Sequence, residues 1–148
     1  MIYLTIFIFY LLGSFLQSRT YSQIQVKVKI TGLHPVPSMI YMAAFDNPRS
    51  FNEQSNGAVV RMKIPHDKTT TATIPVFNLK PGVYAFLVFQ DENGNKILDT
   101  NLLGIPTEAY GYSGKSGLIP GPPNFEKSKL IISQGNTTEP FEVFIHLR

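Results

Sequence analysis

The feature that most restricts the fold is an alternation of polar and apolar residues in short runs. Gln25-Val26-Lys27-Val28-Lys29-Ile30 repeats every second residue, the pattern of a strand with one face buried and one in water. Val59 to Ile64 repeats it, with Val60, Met62 and Ile64 on one face. Phe141 to Leu147 does so again, with Phe141, Val143, Ile145 and Leu147 facing one way and Glu142, Phe144 and His146 the other. Ile40 to Phe45 and Leu130 to Ile132 are apolar runs of strand length, and Thr71 to Phe77 is rich in β-branched residues. Pro75 places that last run at a sheet edge or at a strand's end. Val83 to Phe89 is apolar on both faces, which suits a central strand. Turn chemistry separates the runs: Gly32 with Pro35 and Pro37, Asp46-Asn47-Pro48, Pro65-His66-Asp67-Lys68, and Leu79-Lys80-Pro81-Gly82. Phe51 to Gly57 reads as loop. About seven short strands and no amphipathic helix predict an all-β chain, folded as an antiparallel β-sandwich.

The longest stretch that strands and turns leave unexplained runs from Asp91 to Tyr112. Its first nine residues place Asp91, Asn93, Asn95, Ile97 and Asp99 at alternate positions. That spacing matches the start of a calcium loop. There, side-chain oxygens come from positions one, three, five and nine, and a backbone carbonyl comes from seven. Asp91, Asn93, Asn95 and Asp99 are therefore candidate side-chain ligands for Ca²⁺, with Ile97 as a carbonyl ligand. The loop departs from the pattern twice. Lys96 stands at position six, where Gly allows a sharp turn, and Leu102 stands at position twelve, where Glu is bidentate. Glu92 or Glu108 is a candidate replacement for that last ligand. With two certain carboxylates, the expected affinity is weak, ~10⁻⁴ to 10⁻³ M. The same residues also serve as turn formers without an ion, because Asp and Asn cap local backbone and Asn93-Gly94 is itself a turn signal.

With 148 residues the chain has room for one domain with a real core. Met1 to Leu16 is almost wholly apolar and is followed by polar residues and by Thr20-Tyr21-Ser22. That order reads as a secretory signal peptide over 1–22, although no Lys or Arg precedes the apolar run. The run is shorter than the roughly 17 to 25 residues of a spanning helix. Residues 23–148 then form a single β-sandwich domain, periplasmic or extracellular, with no stable membrane span. There is no Cys, hence neither disulfides nor lipid attachment at a lipobox. The formal charge of +3 is spread over the chain, and Lys27 and Lys29 sit on a strand's solvent face. No basic footprint for nucleic acid is present.

No catalytic constellation emerges. The histidines at 34, 66 and 146 lack metal-ligand spacing, and no Ser lies in a nucleophile elbow. Asp91, Asp99 or Glu108 as hydrolase carboxylates is the least favoured reading, for want of a nucleophile–base pair. The chain is therefore expected not to be an enzyme. Tyr110, Tyr112 and Phe125, with Glu108, surround Gly111 and Gly121-Pro122-Pro123. They either pin the long loop onto the sandwich or form a ligand surface for carbohydrate or peptide. Asn136-Thr137-Thr138 fits a glycosylation sequon, which matters only in a eukaryotic secretory host.

Four blocks resemble a bacterial family known as domain of unknown function 2141. They are Leu79 to Ala85, Asp91-Glu92-Asn93-Gly94-Asn95 through Leu98-Asp99-Thr100-Asn101, Gly104 to Ser113, and Gly121-Pro122-Pro123-Asn124-Phe125-Glu126. Lys96 stands where the family usually has Gly, and Gly114-Lys115 where it usually has Asn-Asn. The resemblance implies an exported protein of the bacterial envelope with an immunoglobulin-like or transthyretin-like sandwich. It implies no activity. The partner expected is a glycan, a peptide or another envelope protein.

Overall fold

The computed structural model describes residues 22–54, 56–114, 124–133, 135 and 138–148. The predicted signal peptide, apart from Ser22, and the Asn136-Thr137 part of the sequon lie outside the described residues. The strands are β1 (Ile24–Thr31), β2 (Ser38–Phe45), β3 (Val60–His66), β4 (Thr71–Leu79), β5 (Gly82–Asp91), β6 (Tyr110–Tyr112), β7 (Leu130–Ile132) and β8 (Phe141–His146). Two short helices, α1 (Pro48–Asn52) and α2 (Phe125–Ser128), complete the described elements. One sheet runs β4-β1-β8 and the other β3-β2-β5-β6, with β7 also on β5. The expected all-β sandwich is what forms.

The alternating runs bury the faces their pattern selects. Val26, Val28 and Ile30 of β1, Val143 and Ile145 of β8, and Leu147 just beyond it meet Ile40, Met42 and Ala44 of β2 and Phe86 and Val88 of β5. β5 is apolar on both sides because it has two cores to serve. Its outward Ala85 and Leu87 join Ala43 and Phe45 of β2 in a second cluster, roofed by Phe51 of α1, Phe125 of α2 and Tyr112 of β6. Phe51 meets the rings of Phe45, Tyr112 and Phe125 edge-on, at 5.6, 5.7 and 5.9 Å, the arrangement aromatic quadrupoles favour.

Several expectations need correction. Phe51 to Gly57 is not all loop, because Asn47-Pro48 starts a helix. The Asn47 side chain accepts the Ser50 amide at 2.9 Å, and Pro48 follows as a helix-first proline. Pro65 and His66 belong to β3 and not to a turn. Pro75 lies in β4, an edge strand, at a register shift where Ile74 pairs Val28 and Phe77 pairs Val26. A bulge at an edge is a place where a missing amide donor does no harm. Strand direction also differs at one ladder. β1 and β8 run parallel, Val26 opposite Phe141 through Thr31 opposite His146.

The sandwich closes along one side where the chain end meets β6. Tyr110 donates its amide to the Arg148 carbonyl at 3.3 Å and accepts the Arg148 amide at 3.1 Å. Gly111 makes that approach possible, since a Cβ there would stand 2.5 Å from the His146 carbonyl oxygen.

Candidate functional site

The candidate site grows out of the end of β5. Asp91 pairs with Met39 in the ladder and is 1 % exposed. Its carboxylate turns into the following loop and accepts two backbone amides, Gly94 on Oδ1 at 2.7 Å and Lys96 on Oδ2 at 3.0 Å. Asn93 Oδ1 accepts the Asn95 amide at 3.0 Å and Asn95 Oδ1 the Ile97 amide at 2.9 Å. Each of these side chains caps the backbone two residues on. The result is a tight coil of chain laced by its own polar side chains.

Asp99 closes the coil. Asn93 Nδ2 donates to Asp99 Oδ2 at 2.5 Å, and Asn95 Nδ2 donates to both Asp99 oxygens at 3.0 and 2.9 Å. Asn93, Asn95 and Asp99 are thus tied side chain to side chain, while Asp91 holds the same coil through the Gly94 and Lys96 amides. The Ile97 side chain points away and is 65 % exposed. Lys96 sits at φ 68°, the left-handed backbone that a glycine at position six would adopt without a Cβ penalty.

Glu108 straps the loop from the far end of the segment. It is 8 % exposed, and it accepts the Glu92 amide on Oε1 at 2.9 Å and the Asp99 amide on Oε2 at 3.2 Å. Of the two candidates for a twelfth-position substitute, Glu92 instead meets the His34 ring at 2.6 Å, and Glu108 holds the loop's two ends together. From Asp99 to Thr107 the chain doubles back, with the Thr107 amide on the Asp99 carbonyl at 2.9 Å and a bridge between Thr100 and Pro106. The tip of that hairpin presents Leu102, Leu103 and Ile105 to solvent.

Gln90, one residue before Asp91, went unnoticed in the sequence. Fully buried, it accepts the His34 amide at 2.8 Å and donates to the His34 carbonyl and the Ser38 hydroxyl, both at 2.9 Å. It anchors the β1–β2 connection beside the loop. A glutamine directly after seven apolar strand residues is the signal that marks such a buried polar clamp.

The aromatic candidates are placed apart from the loop's interior. Tyr112 and Phe125 are 4 and 5 % exposed in the second core cluster. Burial, with a smaller push from neighbouring Tyr110, raises the Tyr112 hydroxyl from its ordinary 10.0 to about 12, against the lowering influence of Arg148 and of the Gln54 hydrogen bond. Tyr110 is half-buried beneath the Arg148 guanidinium, 5.2 Å from its ring centre. Among the described residues, no group of three or more His, Cys, Asp or Glu side chains is placed to hold a metal ion, so a cation in the loop would rely on the asparagine oxygens. No described helix is long and apolar enough to cross a membrane.

A protein-family model described as an uncharacterised protein conserved in bacteria, domain of unknown function 2141, matches residues 28–139, well over half of the chain. All four motif blocks fall inside that span. No curated protein and no solved structure matches the chain.

Proposed function

The chain belongs to that bacterial family, and we propose that it acts as an exported, non-enzymatic β-sandwich module whose Asp91–Asp99 loop takes up Ca²⁺ weakly. The observation that carries the reading is the convergence of Asp91, Asn93, Asn95 and Asp99 inside one coil held shut by Glu108. A carbonyl or carboxylate oxygen has two lone pairs, so one that accepts an amide keeps another for a cation. Asp99 draws two amide donors from Asn93 and Asn95. A cation there replaces those donors, and the Asn93 and Asn95 oxygens offer it their second lone pairs while still capping the backbone, together with the Ile97 carbonyl. Calcium suits such a set, because it accepts six to eight oxygens in flexible geometry while magnesium requires a near-ideal octahedron. The ion's role is structural: it fixes the segment that leads to β6. Export is supported by the apolar stretch Met1 to Leu16.

The test is Asp99→Ala, melted in millimolar calcium and in chelator. Ligation predicts a larger loss of melting temperature in calcium than in chelator. Equal losses contradict it and leave Asp99 as a turn former.

A further inference from the structure

We propose that the outer face of the five-stranded sheet binds a small amphiphilic anion, an acyl chain ending in a carboxylate. An open cavity of about 480 Å³ lies on that face, inside the ~300–1,000 Å³ range of small-ligand sites. Strand register builds its floor. Tyr41 of β2 stands opposite Phe89 of β5, and their rings stack with centres 5.1 Å apart and planes 11° from parallel. Two residues along, Ala43 pairs with Leu87. Its methyl group, between the large side chains of Tyr41 and Phe45 in the same row, leaves the depth of the cavity.

The rim is cationic. β3 carries the same rows outward, with Lys63 opposite Tyr41 and Arg61 opposite Ala43. Lys96 arrives from the Asp91–Asp99 loop, and Leu98 beside it adds an apolar wall. No carboxylate lines the cavity. Among the described residues neither Lys63 nor Lys96 has an acidic partner. With no carboxylate in the lining, Lys63 and Lys96 beside an apolar floor favour an anionic head.

The lining also discriminates among anions. Apart from the cations, its polar side chains are Gln54 and Tyr41. A sugar acid brings several hydroxyls, and a buried hydroxyl without a partner is costly. An acyl chain makes no such demand and matches Leu87, Phe89 and Leu98. The site adjoins the cluster of Tyr112 and Phe125, sharing Ala43, Phe45 and Leu87 with it, and its floor and its Lys63 side do not involve the neighbouring loop.

Octanoate titrated into the isotope-labelled protein, with EDTA present, tests this by amide NMR shifts. The expected shifts cluster on β2, β3, β5 and residues 96–98. The double variant Lys63→Glu/Lys96→Glu, changed at exposed positions, should keep the remaining spectrum and bind about tenfold more weakly or worse, as two reversed charges imply. Three results overturn the proposal: no response to octanoate, equal binding of neutral octyl glucoside, or binding of glucuronate in place of octanoate. Unchanged affinity in the double variant overturns it as well. Repeating the titration in millimolar calcium keeps these outcomes separate from the calcium reading: only a failure in both conditions counts against the cavity.

Discussion

At the scale of single residues, Lys96 is the position where this chain works against its own loop. The coil needs left-handed backbone there, and a lysine supplies it at φ 68°. Relieving the Cβ clash is worth up to about 1 kcal/mol once glycine's extra unfolded-state freedom is subtracted. Lys96→Gly should therefore raise the denaturant midpoint slightly in the absence of calcium, and a lower midpoint would show that the loop does not require that conformation. Tyr112 supplies a pH dependence. Its folded hydroxyl titrates near 12 and its unfolded one near 10.0, so above pH 10 the unfolded chain binds fewer protons than the folded one. The contribution is fully present below about pH 10 and is lost as pH rises towards about 12. Denaturant melts across that window should show a steeper decline for the protein than for Tyr112→Phe. The aspartates and asparagines of the loop are legible one by one in the sequence. Glu108 is named there as a substitute ligand, a hydrolase carboxylate or a surface residue and not as a strap, since a bond to the Glu92 and Asp99 amides depends on a hairpin no spacing rule reveals.

At the scale of elements, legibility follows periodicity. β1, β3 and β8 announce themselves because one face meets the core and the other meets water. β6 is three residues long, too short to show any period, and it is held by β5 and by Arg148. Alternation also says nothing about which way a strand's partner runs, so the parallel β1–β8 ladder could not be read from it. The helix α1 was legible in Asn47-Pro48 but obscured by the polar residues after Phe51. Two substitutions probe these elements. Phe51→Ala removes the centre of the second cluster, where Phe51 is 1 % exposed. It should cost about 3 to 5 kcal/mol in urea unfolding, while a loss below about 1 kcal/mol would mean that α1 and α2 are only loosely laid on the sheet. Gly111→Ala forces β6 away from the end of β8 and should cost about 1 to 3 kcal/mol by overpacking. Its signature should be faster hydrogen exchange at the Tyr110 and Arg148 amides.

At the scale of the whole molecule, the two sheets and the roofed outer face form a rigid frame that delivers Asp91 from one side and Glu108 from the other to the same loop. The loop's meaning rests on whether a cation completes it. Thermal unfolding of the purified protein in EDTA, then in calcium from micromolar to ~10 mM with magnesium as control, asks this directly. For affinities of ~10⁻⁴ to 10⁻³ M, linkage predicts a stabilisation that grows with the logarithm of calcium above Kd and reaches about 1.4 to 2.7 kcal/mol at the top of that range. Calcium should raise the melting temperature correspondingly and magnesium should not. A melting temperature flat in calcium, or raised equally by magnesium, would contradict the account and leave Asp91, Asn93, Asn95 and Asp99 as turn formers alone.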